Sequence, residues 1–146
     1  MPTAISADPT TIANRLRPAL LRLNRELRRE IHSLGVTGGQ VSLLIKVQKE
    51  PGIGIRELAQ WERMSTPGMS KYVARLEAAG LVRRRALDDR RRVGLELTQA
   101  GSHVLSSVKR RRTAWLAERL RGLSPDELDA VDAAVEPLLK LLQVEA

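Results

Sequence analysis

Apolar residues recur at steps of four and three from Ile12 through Leu16, Leu20, Leu23 and Leu27 to Ile31. That spacing predicts one stripe along a long helix. The remaining faces of this helix carry Arg15, Arg17, Arg22, Arg25, Arg28 and Arg29. Pro18 lies inside it and should kink it or mark a restart. Residues 1–9, ahead of the stripe, read as a flexible N-terminal tail. "GVTGGQ" then interrupts the periodicity, and Thr37 suits the cap of a second helix in which Val41, Leu44, Ile45 and Val47 are apolar. "EPGIG" predicts a turn followed by a very short extended piece over residues 53–55.

Two short helical runs come next. "IRELAQWERM" places Ile55, Leu58, Ala59 and Met64 on one side, with Trp61 read as packing. "STPGMSKYVARLEAAGL" opens with a hydroxyl cap and a proline in the first turn. It buries Met69, Val73 and Leu76, and Gly80 supplies a left-handed stop. Beyond it, "VRRRAL" and "VGLELT" flank "DDRR". In the second flank, apolar Val93, Leu95 and Leu97 alternate with Gly94, Glu96 and Thr98, as in a half-buried strand. The pair reads as a β-hairpin whose loop carries the charges. Thr98 caps a further long helix that ends near Gly122. In the last helix, Ser124 and Glu127 form a capping box with Pro125 at the first helical position. Leu128, Val131, Val135, Leu138 and Leu142 make its stripe, and Pro137 should bend it.

Composition narrows the classes. The 146 residues suit one domain, and 42% hydrophobic content suffices for a core. A formal net charge of +8 points to a polyanionic partner, either nucleic acid or an acidic membrane surface. No cysteine is present, which excludes disulfides, thiolate metal sites and catalytic thiols. His32 and His103 stand far apart without carboxylate spacing that would suggest a metal. Aromatic residues, at 2%, are too few for a single-strand stacking platform. No apolar run is long enough to span a bilayer, and the N-terminus lacks the basic and apolar regions of a secretory signal. A cytoplasmic protein without membrane attachment is therefore expected. No motif brings a nucleophile, a base and an orienting group together, so an enzyme is not expected, and no cofactor or metal is implied.

The element order is helix, helix, tiny strand, helix, helix, hairpin, helix, helix. A helix pair followed at once by a hairpin is the layout of a winged helix-turn-helix. There the second helix of the pair enters the major groove and the hairpin reaches a neighbouring backbone or minor groove. Ser65, Thr66, Pro67, Gly68 and Ser70 are small enough to let that helix's N-terminus approach DNA closely. Lys71 and Arg75 follow at distances suited to phosphate or guanine contacts. Gln40, in the helix opened by Thr37, joins the candidate DNA contacts.

The segments "TGGQVSLLIKVQKEPGIGIRELAQ", "TPGMSKYVARLEAAGLVRRR" and "DDRRRVGLELTQAG" resemble successive parts of the MarR family of bacterial transcriptional regulators. The flanking helices resemble that family's dimerisation region, so the likeness covers the chain after residue 10. In that family the wing carries an Asp-x-Arg signature before a strand ending Leu-Thr, and here Asp89 and Arg91 occupy it. The resemblance implies that Asp89 pairs with an arginine and fixes the wing's shape while Arg91 is offered to the minor groove. A narrow minor groove, with its enhanced negative potential, independently favours an arginine there. Arg90 and Arg92 would then contact the backbone. Two positions depart from the family's pattern: Gly68 stands where a hydroxyl residue is common, and Pro67 falls one residue later than the usual proline.

The expectation is a mainly α fold with a small β-hairpin wing, divided into a winged-helix head over residues 38–97 and dimerisation helices over 10–37 and 98–146. Ile12, Leu16, Leu20, Leu23, Leu128, Val131, Val135, Leu138 and Leu142 would form the dimer contacts. The expected function is a homodimeric regulator, a repressor of transcription, on a pseudo-palindromic double-stranded operator. The family resemblance adds a small aromatic or phenolic effector in a cleft between the two parts, though no residue identifies it, and the lack of cysteine argues against thiol-based sensing. Two alternatives stand beside this reading: a non-specific architectural DNA binder, and a winged-helix protein-interaction module. "KRRR" at 109–112 is read as a solvated helix face, and Trp115 as core or dimer packing.

Overall fold

The computed structural model describes residues 7–88 and 92–143. The chain order is α1 (Pro9–Arg29), a 3-10 turn (His32–Leu34), α2 (Gly38–Lys49), α3 (Ile55–Glu62), α4 (Thr66–Ala78), β1 (Val82–Ala86), β2 (Val93–Leu97), α5 (Gln99–Leu120) and α6 (Pro125–Lys140). It is a mainly helical fold with one antiparallel hairpin, as the periodicity predicts.

The caps explain where the helices start. Asp8 accepts a bond from the Thr11 amide and Pro9 is the first residue of α1, so the helix begins inside the segment read as tail. It continues through Pro18 to Arg29 without a restart. Thr37 and Gln40 form a reciprocal capping box: the Gln40 amide donates to Thr37 Oγ1 at 3.1 Å, and the Thr37 amide donates to Gln40 Oε1 at 2.9 Å. Ser124 and Glu127 repeat the device at α6, and α6 likewise runs on through Pro137. Bonding from Ser124 holds the Glu127 carboxyl below its ordinary range.

The core lies in the head. Val41, Leu44 and Val47 of α2 pack with Leu58 of α3 and Met69, Val73 and Leu76 of α4, all nearly inaccessible. Leu95 of β2 and Leu105 and Val108 of α5 close the cluster. Ile31, which the stripe assigned to the first helix, is fully buried beyond its end and belongs to this core rather than to the face of α1. α1 and α6 bury no residue within the single chain.

The tiny strand predicted near residue 53 is a single bridge. Ile53 pairs antiparallel with Leu95, with Gly52 donating to the Leu95 carbonyl and Leu95 to the Ile53 carbonyl, both at 2.8 Å. The strand alternation holds only in part. Leu95 is buried, but Val93 is 49% exposed because β2 runs past the core at that end. Gly94 is buried because the Gly52 backbone lies directly against it. α5 begins on the end of α4: the Thr98 hydroxyl donates to the Gly80 carbonyl at 2.6 Å and accepts from the Gly101 amide at 3.0 Å.

The turn between α3 and α4 contains Arg63 at φ 57°, the one non-glycine residue in the left-handed region among those described. Its amide and that of Met64 close the end of α3 on the Ala59 and Gln60 carbonyls. A residue with a Cβ costs about 1–2 kcal/mol in this conformation, and part of that gain is offset by the larger unfolded-state freedom of glycine. Arg63→Gly should therefore stabilise the protein by about 0.5–1 kcal/mol, read as a higher urea midpoint. A lower midpoint would show that the Arg63 side chain contributes more than the backbone geometry costs.

Candidate DNA-contacting surface

α4 presents the surface predicted to meet DNA. Ser65 is in extended conformation and its hydroxyl accepts the Gly68 amide at 3.1 Å, which ends the α3–α4 turn and starts the helix. Thr66 is the first helical residue and Pro67 the second; both are exposed, while Gly68 and Ser70 are half-buried. Because Met69, Val73 and Leu76 face the core, the helical period turns Pro67, Lys71 and Arg75 to the opposite side. Lys71 and Arg75 are exposed there, one turn apart. Among the described residues neither is paired with a carboxylate. Tyr72 packs back onto α2, its hydroxyl lying over Gly39, where a side chain would displace it. Gln40 is also at that end of α2, with its amide oxygen committed to the capping box.

The hairpin behaves differently. Its register sets Arg83 opposite Glu96. Glu96 accepts from Arg83 and, at 3.2 Å, from Arg85. The bond from Arg83, then that from Arg85, holds the Glu96 carboxyl below the usual range. Arg84 reaches back to Glu77 of α4 at 2.7 Å. Arg92, expected on the DNA backbone, instead meets Glu57 of α3 at 3.3 Å. Each arginine of the stem is thus held by a carboxylate of the head, Glu96 serving two of them, whereas Lys71 and Arg75 of α4 have no such partner among the described residues. Asp89, Arg90 and Arg91, the remaining wing candidates, lie outside the described residues.

The sequence reading missed the three carboxylates, Glu57, Glu77 and Glu96. Only Glu96 had a usable signal, because pairing the two flanks of "DDRR" places it across from Arg83. It also misplaced two residues. Trp61 is not packed inside: it is 44% exposed, with Lys46 Nζ 5.2 Å from its ring centre. Arg112, read as part of a solvated "KRRR" face, is half-buried between α5 and α2 while Lys109, Arg110 and Arg111 are exposed. Its Nε is enclosed without a hydrogen-bond partner. Burial, and then the charge of Arg28, push its pKa down, though a guanidinium remains protonated at neutral pH. Arg112 borders a cavity of about 370 Å³ lined also by Ile45, Gln48, Leu105 and Lys109. Trp115 is half-buried, with the Arg119 guanidinium 5.1 Å from its ring centre.

The residues expected at the dimer interface are placed on two uncovered faces. Ile12, Leu20 and Leu23 of α1 and Leu128, Val131 and Val135 of α6 are exposed. Leu16 and Leu138 are half-buried, and Leu142 stands beyond α6 almost fully exposed. No described helix is long and apolar enough to cross a membrane.

A capped helix pair backed by a hairpin that is tied to both of its helices defines a winged helix-turn-helix protein. The model of the MarR family matches residues 36–93, from the entry to α2 to the start of β2. Over 132 residues the chain is 33% identical to an uncharacterised HTH-type transcriptional regulator of Mycobacterium bovis, covering 90% of this chain and 92% of that protein. A MarR family protein from Bacillus stearothermophilus superposes with a TM-score of 0.79 at 22% identity, covering 95% of this chain and all of that one. Wild-type MarR from E. coli, in its apo form, superposes at 0.73 with 19% identity, over 92% and 99% of the two chains. The chain belongs to the MarR family of helix-turn-helix transcriptional regulators. The family's members are regulators rather than enzymes.

Proposed function

We propose that this regulator is a cytoplasmic homodimer that represses transcription by occupying a pseudo-palindromic duplex. The observation that carries the reading is the exposed basic face of α4, unpaired among the described residues, beside a hairpin whose stem arginines are held by carboxylates of the head. Ser65, Thr66, Pro67, Gly68 and Ser70 would seat the helix N-terminus against phosphate, with Lys71 and Arg75 on phosphate or guanine. Arg90 and Arg91 would enter from the wing, Arg91 in the minor groove and Asp89 as its brace. Residues 38–97 would form the head, with 10–37 and 98–146 joining two copies. The support for the dimer is that α1 and α6 each carry an apolar stripe that the described residues leave largely uncovered. Two heads related by a two-fold axis match half-sites about 34–36 Å apart.

A small aromatic or phenolic effector fits the same scheme. The cavity between α2 and α5 has an apolar floor and two cations, Lys109 and Arg112, at its edge. A ring bearing an acidic group would be drawn by the charges of Lys109 and Arg112 and, through α2, would reach the head. The test of the regulatory reading is a footprint on the DNA upstream of the protein's own gene, with a symmetric protected stretch as the expected result.

A further inference from the structure

We infer that Glu57 is a positioning residue for DNA binding: by holding Arg92, it fixes the angle at which the hairpin leaves the helix-turn-helix. The inference rests on the DNA-binding reading above.

The hairpin is tied to the rest of the head at two levels. At the inner level, the backbone bridge between Ile53 and Leu95 and the Arg84–Glu77 pair act together, since Arg84 and Leu95 are register partners. These ties hold the middle of the ladder, two rungs above its root at Val82 and Leu97. Further out, the last strand pair is Ala86 with Val93, and the Leu87 amide closes onto the Arg92 carbonyl at 3.1 Å. Arg92 therefore belongs to the outermost hydrogen-bonded rung among the described residues. Its guanidinium reaches the Glu57 carboxylate across 35 positions of sequence. The same carboxylate lies beside Gly54, and Gly54 in turn borders the Val93 carbonyl, so Glu57 sits against the entry to β2.

A tie at the end of a lever restricts its swing more than one nearer its root. Without the outer tie, the two-stranded ribbon would bend about the Ile53–Leu95 bridge. The side chains offered by the wing would then lose more freedom when they engage DNA. Both partners are largely exposed, so the pair contributes little to global stability. The role is confined to where the wing points.

This gives the proposal a sign. Glu57→Gln removes a negative charge close to a polyanion and frees a cation, so charge alone predicts tighter binding. Positioning predicts weaker binding by about threefold to tenfold. The measurement is a titration of a random-sequence duplex of about 30 base pairs at fixed salt, alongside the thermal midpoint. The expected result is weaker binding by Glu57→Gln, and also by Glu57→Arg, with the midpoint unmoved. Combining Glu57→Arg with Arg92→Glu rebuilds the bridge in reverse at unchanged net charge and should restore affinity to within about twofold. Equal or tighter binding by Glu57→Gln, or no recovery in the exchanged pair, overturns the inference while leaving the regulator reading intact. Wild-type protein that binds no duplex overturns that reading and this one with it.

Discussion

Replacing Gly94 with alanine should remove about 3–5 kcal/mol from the stability of the head. The Cβ would sit 2.7 Å from the carbonyl carbon and the Cα of Gly52, closer still to the Gly52 oxygen, and none of these backbone atoms can rotate away. Relief requires β2 to move off the Gly52–Ile53 segment. That movement breaks both bonds of the Ile53–Leu95 bridge, worth about 1 kcal/mol each, on top of about 1–3 kcal/mol of overpacking. Set against a typical total of about 5–15 kcal/mol, this is a severe loss. It is read directly as a lower urea midpoint with an unchanged slope. A shift equivalent to less than about 0.5 kcal/mol, the size of an ordinary surface change, would show that the contact is not tight.

The second large effect concerns assembly. Leu20 of α1 and Val131 of α6 lie on the two uncovered apolar faces. In the proposed dimer both would be buried, and two-fold symmetry would bring each substitution in twice. A protein carrying Leu20→Glu and Val131→Glu would bury four unpaired carboxylates, each costing several kcal/mol. Light scattering at micromolar concentration should give twice the chain mass for the wild type and the single-chain mass for the variant. Duplex affinity should fall by about a hundredfold or more, because each half-site would be held by one head alone. The variant should keep its helicity, since neither residue is in the single-chain core. A variant that stayed dimeric would remove these faces from the interface.

Local chemistry made much of this molecule legible in its sequence. Thr37, Ser65, Thr98 and Ser124 start helices because a hydroxyl there satisfies an amide that the helix leaves open, and that requirement needs no knowledge of the fold. Gly80 ends α4 at φ 76° for an equally local reason. What stayed hidden depends on residues distant in sequence. Glu57 meets Arg92 only after the hairpin folds back on α3. Gly94 is buried by Gly52 rather than by any pattern in its own strand, so alternation alone placed it on the wrong side. Arg112 sits in a basic run whose neighbours are all solvated, and only the approach of α2 distinguishes it. Trp61 shows the opposite error: a large aromatic suggests burial, but the period of α3 turns it outward, where Lys46 covers its ring. The candidate DNA face was legible because it combines two local signals, a cap and an amphipathic period. The pairing of the stem arginines was not, because it depends on strand register.

That contrast between α4 and the stem is the centre of the account, and sequence discrimination tests it most directly. Wild-type protein would be titrated at one salt concentration against the footprinted upstream duplex and against a scrambled duplex of equal length and composition. An exposed α4 seated in the major groove predicts affinity for the upstream duplex at least about a thousandfold higher. It also predicts that Lys71→Ala with Arg75→Ala abolishes most of that advantage. Equal affinity for the two duplexes would contradict the account and leave a non-specific architectural binder in its place.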